Sequence, residues 1–131
     1  MKVDHIGIAV SSIERALPFY KKALGLEPSH REDVPDQKVK VCFLQAGETA
    51  LELIEPTGES GVSKFLQSRG PGIHHVAFSV SGIDGEMKRL RDCGIPPLES
   101  AARPGARGHK VCFLHPKLAD GVLIELVEAA H

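Results

Sequence analysis

Two histidines and two glutamates, His5 and His75 with Glu52 and Glu125, carry the chemistry this sequence of 131 residues offers. Neutral imidazole nitrogens and carboxylate oxygens together make a ligand set for a divalent transition metal. Co, Ni, Mn, Fe or Zn would suit it, and no thiolate is needed. A buried carboxylate without a partner is costly, so it neutralises or finds a cation. Taken singly, a strand histidine is more often a packed, hydrogen-bonded residue than a ligand. Repetition lifts these four above that background.

Asp4-His5-Ile6-Gly7-Ile8-Ala9-Val10-Ser11 aligns with His74-His75-Val76-Ala77-Phe78-Ser79-Val80-Ser81 at an offset of 70, and Ile13-Glu14 with Ile83-Asp84. Val41-Cys42-Phe43-Leu44 returns identically as Val111-Cys112-Phe113-Leu114, again 70 residues on. Leu51-Glu52-Leu53 returns as Ile124-Glu125-Leu126 at 73. Four matches in one order mark an internal duplication.

The elements that must position the four residues follow from periodicity. Ile6, Ile8 and Val10 alternate with His5, Gly7 and Ala9, and Val76, Phe78 and Val80 with His75, Ala77 and Ser79, as half-buried strands do. Each histidine therefore shares its face with small residues, which leaves space in front of it. Glu52 and Glu125 each stand between two packed apolar residues and face the other way, towards the same space. Ile13, Ala16, Leu17, Tyr20 and Leu24 form one helical face. That helix is capped by Ser11-x-x-Glu14 and stopped at Gly25, with Pro18 expected to kink it or displace its start. A second helix with Ile83, Met87 and Leu90 runs from Ser81-x-x-Asp84 to Gly94. Val39–Leu44 and Thr49–Ile54 pair through Gly47. Val111–Leu114 and Val122–Val127 pair around a longer turn, His115 to Gly121. A short helix, Val62–Arg69, ends at Gly70 and leads through Pro71-Gly72 into the second half.

The expected fold is α+β: tandem βαβββ modules, about 1–60 and 72–131, joined by that short helical linker. Half-domains of about 65 residues bury too little surface to stand alone, so the two are expected to form a single domain, one curved sheet system around a metal cleft.

The other polar residues carry less. His74 has the parity of a packing residue, and His30, His109 and His131 fall in loop or terminal sequence. Cys42 and Cys112 read as small buried hydrophobes, Cys93 lies at a helix end, and none is a nucleophile. With 42% hydrophobic and 25% charged residues and a net charge of −1, composition is that of a globular protein with no electrostatic footprint for nucleic acid or anionic membrane. No apolar run approaches the roughly 18 residues of a membrane span. Met1-Lys2-Val3-Asp4-His5 meets an acid and a histidine too early for the pattern of a secretory signal, and three cysteines without C-x-x-C spacing suggest reduced thiols, so a cytoplasmic protein is expected.

These residues resemble the vicinal oxygen chelate superfamily, which includes glyoxalase I, extradiol dioxygenases and the fosfomycin- and bleomycin-resistance proteins. Within it they are most similar to the methylmalonyl-CoA epimerase family. The resemblance rests on Val3–Val10, Leu51-Glu52-Leu53-Ile54-Glu55-Pro56, and Lys64-Phe65-Leu66 leading to Gly72-Ile73-His74-His75. It also rests on Arg103-Pro104-Gly105-Ala106, and on His115-Pro116-Lys117 with Gly121–Leu126, the most specific segment. It implies that His5, Glu52, His75 and Glu125 bind one divalent metal ion, with cobalt favoured and Zn, Ni or Mn possible. It implies an isomerase that removes the proton alpha to the thioester of methylmalonyl-CoA, with Glu125 as one acid–base group, and a homodimer. A second glutamate implied on the strand before Glu52 is missing, since Val39-Lys40-Val41-Cys42-Phe43-Leu44 holds no acid and Glu48 falls in the hairpin turn. Arg103, Arg107, Lys110 and Lys117 are either contacts for CoA phosphates or a solvated loop face. The alternatives are a glyoxalase I-type lactoylglutathione lyase and a metal-free ligand-binding module of the same fold. An extradiol dioxygenase is disfavoured because its iron takes two His and one carboxylate and leaves positions open for oxygen.

Overall fold

The computed structural model describes residues 1–130, so His131 lies outside the described residues. The chain divides into two compact units. One comprises His5–His74; the other comprises Met1–Asp4 and the chain from His75 onward.

The first unit is built on β1 (Val3–Ala9), α1 (Ile13–Leu24), β2 (Pro28–Val34), β3 (Val39–Ala46), β4 (Thr49–Pro56) and α2 (Gly61–Arg69). Its strands run in the order β2-β3-β4-β1, with β2, β3 and β4 antiparallel and β1 parallel to β4. The second unit repeats this plan with β5 (Gly72–Ser79), α3 (Ile83–Asp92), β6 (Arg103–Pro104), β7 (Lys110–Leu114) and β8 (Ile124–Glu128). The order is β5-β8-β7-β6, with β5 parallel to β8. The duplication expected from the 70-residue offset is thus a duplication of topology. The outer strands differ: β2 is seven residues long and β6 only two.

Helices α1 and α3 each cover the apolar face of their own sheet. Ile13 and Leu17 pack on Val10, Cys42, Leu44 and Leu53, with Ala16 and Tyr20 at the margin. Ile83, Met87 and Leu90 pack on Cys112 and Leu126 in the same manner. Leu24, expected on the α1 face, is 55% exposed. Gly25 is left-handed at φ 67, its N–H bonds to Lys21, and that of Leu26 bonds to Tyr20. This reversal swings Leu26 into the position a further helical residue would have taken. Pro18 lies on the exposed side, and α1 runs through it from Ile13 to Leu24.

Several boundaries differ from expectation, three of them at helix or strand starts with an identifiable cause. The cap of α1 is Ser12, which accepts from the Arg15 N–H, and not Ser11. Ser81 does not cap α3; Gly82 precedes it and makes no side-chain cap. Strand β8 begins at Ile124 instead of Val122, because a 3-10 turn over Pro116–Ala119 occupies the approach. His30, expected in a loop, lies on β2, whose polar alternation hid a strand.

Candidate metal centre

In the first unit His5 Nε2 lies 3.2 Å from Glu52 Oε1, and in the second His75 Nε2 lies 2.9 Å from Glu125 Oε1. The parallel pairings explain the approach. Gly7 stands opposite Glu52 and Ala77 opposite Glu125, so each histidine is two residues back on the same face. The residue beside each carboxylate has almost no side chain, and the imidazole fills the room. His5, Glu52, His75 and Glu125 are the buried polar or charged residues among those described, at 3%, 7%, 4% and 5% exposure.

An aromatic ring steadies each imidazole. Phe43 meets the His5 ring edge-on with centroids 5.6 Å apart, and Phe113 meets His75 at 6.0 Å. Phe43 is the register partner of Glu52, and Phe113 that of Glu125, so one ring buttresses both members of each pair. In the sequence these phenylalanines stand out only as part of a repeated apolar tetrapeptide. Their identity in both halves was the available signal.

Behind each pair a second carboxylate works on the opposite sheet face. Glu55, three residues after Glu52, accepts the Ile13 N–H at 2.8 Å, and Glu128, three after Glu125, accepts the Ile83 N–H at 2.6 Å. Side chains alternate along a strand, so a spacing of three puts the two carboxylates on opposite faces. One faces the imidazole; the other reaches the positive end of the helix.

Each of the four offers one ligand atom, and the donor set fits a divalent cation. Bonds of about 2.1 Å to nitrogen and oxygen separate adjacent ligand atoms by roughly 3 Å, comparable to the separation within each pair. The remaining expected residues are dispersed. His74 meets the Phe65 ring at 5.2 Å, and His109 Nδ1 accepts the Ala130 N–H at 2.9 Å. Cys42 and Cys112 are fully buried, and burial pushes both thiols up, Cys112 to about 12. Of the basic residues, Arg103 lies over the Phe113 ring at 5.7 Å and Arg107 Nη2 donates to Asp4 Oδ2 at 2.7 Å. Lys110 and Lys117 are exposed.

Residues 4–113 match the Glyoxalase/Bleomycin resistance protein/Dioxygenase superfamily. The chain belongs to that superfamily. It is 45% identical over 128 residues to the uncharacterized protein YqjC of Bacillus subtilis, across 97% of this chain and 91% of that one. It is 38% identical over 130 residues to human mitochondrial methylmalonyl-CoA epimerase, across 98% of this chain and 74% of the relative. A Streptomyces coelicolor methylmalonyl-CoA epimerase variant in complex with 2-nitronate-propionyl-CoA matches with a TM-score of 0.96 at 37% identity, across 99% of this chain and 95% of that one. Within the superfamily, the chain belongs with the methylmalonyl-CoA epimerases, and its α+β architecture is the vicinal oxygen chelate fold. Strand β3 carries no acid. Val39, Val41 and Phe43 are buried there, and Glu48 is exposed in the turn before β4.

Proposed function

We propose that this chain is a metal-dependent isomerase that interconverts the 2R and 2S epimers of methylmalonyl-CoA. In this reading His5, Glu52, His75 and Glu125 together hold one divalent cation. The observation that carries it is the buried His–Glu pair, present once in each half of a chain that belongs with the epimerases. Four buried ionisable groups in a small protein cost too much to persist as core, and as ligands they share one charge.

A bound divalent cation supplies Lewis-acid stabilisation of the negative charge that develops on substrate oxygens. Glu125 takes the proton from carbon 2, which is acidified by the two flanking carbonyls. His75, 2.9 Å away, orients that carboxylate, and the Phe113 ring holds His75 in place. The buried setting keeps bulk water from the reacting carbon. Cobalt is the metal favoured by resemblance, with Zn, Ni and Mn as the alternatives. The free thiols Cys42, Cys93 and Cys112 support a reducing, cytoplasmic setting; the acyl-CoA substrate accords with the names of the relatives, and a homodimer is implied by the family resemblance alone. The two units are read as one functional domain.

Incubating either epimer with metal-loaded protein in D₂O tests the reading. Deuterium enters carbon 2 and the other epimer accumulates, and both stop on chelation. Absence of metal-dependent exchange, or turnover of the methylglyoxal–glutathione adduct in its place, overturns it.

A further inference from the structure

A malonyl-type half-thioester differs from an ordinary acyl thioester by one carboxylate on carbon 2, and an anion leaving water needs a partner. We propose that Arg103 on β6 is that partner, the side chain that selects a 2-carboxyacyl thioester over a neutral one. This rests on the epimerase reading above.

Register places the residue within its own unit. Arg103 stands opposite Val111 on β7, and Val111 opposite Val127 on β8. Two residues along, Phe113 stands opposite Glu125. Residues opposite one another, and residues two apart on a strand, project to the same face. Arg103 therefore shares the face of Phe113, Glu125 and His75. Ala77, Val111 and Val127 pack together there, with Phe113 against them. The other face is the one α3 covers, through Cys112 and Leu126. Among the described strands of this unit, Arg103 is the one lysine or arginine at a register position of the His75 face.

The side chain is held in place. Its guanidinium lies over the Phe113 ring at 5.7 Å, and the same ring meets His75 at 6.0 Å. Glu99 Oε1 accepts the Phe113 N–H at 2.9 Å, while Glu99 Oε2 lies 3.7 Å from Arg103 Nε. A carboxylate tied to the β7 backbone thus sets the direction of the guanidinium. The Arg103 side chain is 39% exposed, so a ligand can reach it. A guanidinium lying over a ring directs its N–H groups outward in its own plane, the arrangement that grips a carboxylate through two parallel bonds.

Position separates this carboxylate from the other anions of an acyl-CoA. Glu125 faces the proton of carbon 2, and the carboxylate is bonded to that carbon, whereas the CoA phosphates lie at the far end of the pantetheine arm. A cation sharing a ring with His75, itself 2.9 Å from Glu125, stands at the carbon 2 end. The neighbouring basic residues are placed elsewhere. Arg107 donates to Asp4, and Lys110 alternates with Val111 towards the α3 side. Charge gives the contact its purpose: the substrate arrives as a carboxylate and gains a second negative charge as the proton leaves carbon 2. A fixed guanidinium on the carboxylate offsets that build-up.

The test titrates metal-loaded protein calorimetrically with an equilibrated mixture of the methylmalonyl-CoA epimers and, separately, with propionyl-CoA, which lacks only the carboxylate. Epimerisation leaves such a mixture unchanged, so the titration reads affinity alone. In Arg103→Gln the affinity for methylmalonyl-CoA should fall by about tenfold or more, with that for propionyl-CoA unchanged. Arg103→Lys, which keeps the charge without the paired donors, should fall between. Bound metal and the unfolding midpoint should stay those of the unaltered protein. Equal weakening of both ligands would assign Arg103 to the phosphates, and undiminished methylmalonyl-CoA binding would assign it to neither. Either result overturns the proposal, as does loss of metal from the variants. An unaltered protein that binds the two thioesters equally rejects the epimerase reading, and this proposal with it.

Discussion

Glu128 accepts the backbone N–H of Ile83 at 2.6 Å, a hydrogen bond spanning 45 residues that joins the end of the last strand to the start of α3. Its counterpart, Glu55 on Ile13, does the same for α1, but there Ser12 also caps. α3 has only Gly82 at that position and no side-chain cap. Replacing Glu128 by Ala should therefore destabilise the protein by about 1–2 kcal/mol, and Glu55→Ala by less. Urea unfolding of the two variants measures the difference, and equal midpoints would contradict the account.

Metal removal should be felt by the fold as well as by activity. A cation held by native His–Glu pairs and absent from the unfolded chain stabilises by mass action, about 2.7 kcal/mol at a hundredfold excess over its dissociation constant. Chelation should lower Tm, and adding back cobalt or zinc should restore it. In Glu52→Ala the Tm should no longer respond to added metal, and elemental analysis should find the ion lost.

Much of this site can be read in the sequence because duplication writes it twice. His5 and His75, Glu52 and Glu125 recur with their flanking apolar residues, and strand parity aims each histidine at the glutamate of its own unit. What stayed hidden has local physical causes. β2 reads Pro-Ser-His-Arg-Glu-Asp-Val, an edge strand with polar residues on both faces, Ser29, Arg31 and Asp33 exposed on one and His30 and Glu32 half-buried on the other, so no hydrophobic alternation announces it. The α1 cap falls at Ser12 because two serines adjoin and only backbone geometry chooses between them. Glu55 and Glu128 were invisible as caps, since their partners lie 42 and 45 residues away.

The cysteines set a pH limit. Burial raises the Cys112 thiol from 9.0 to about 12 in the folded chain and raises Cys42 also. Above pH 9 the unfolded chain releases a proton that the folded chain retains, so unfolding is increasingly favoured as pH climbs towards 12. The urea midpoint should fall across that interval, and less steeply in Cys112→Ala. Below denaturing conditions a thiol reagent at pH 8 should modify Cys93, which is exposed, and spare the buried pair.

Gly105 sits where a side chain has no room. A Cβ there would lie 2.8 Å from Cγ1 of Val111, itself buried at 2% exposure. Gly105→Ala should cost roughly 1–3 kcal/mol through overpacking, and pairing it with Val111→Ala should recover part of that loss. A double-mutant cycle in urea reads the coupling; additive losses would place the strain elsewhere.

The spacing of Glu52 from Glu55, and of Glu125 from Glu128, makes each of these strands its own alignment gauge. Sliding β4 by a single residue against its neighbours would turn Glu52 into the oily layer beneath α1 and withdraw Glu55 from the helix end at the same stroke. Two penalties would then fall together on any near-miss pairing, with β8 subject to the same check. Substitutions that spare one carboxylate and remove the other would halve that discrimination, so their first symptom should be strand misalignment during refolding, ahead of any change in the finished protein.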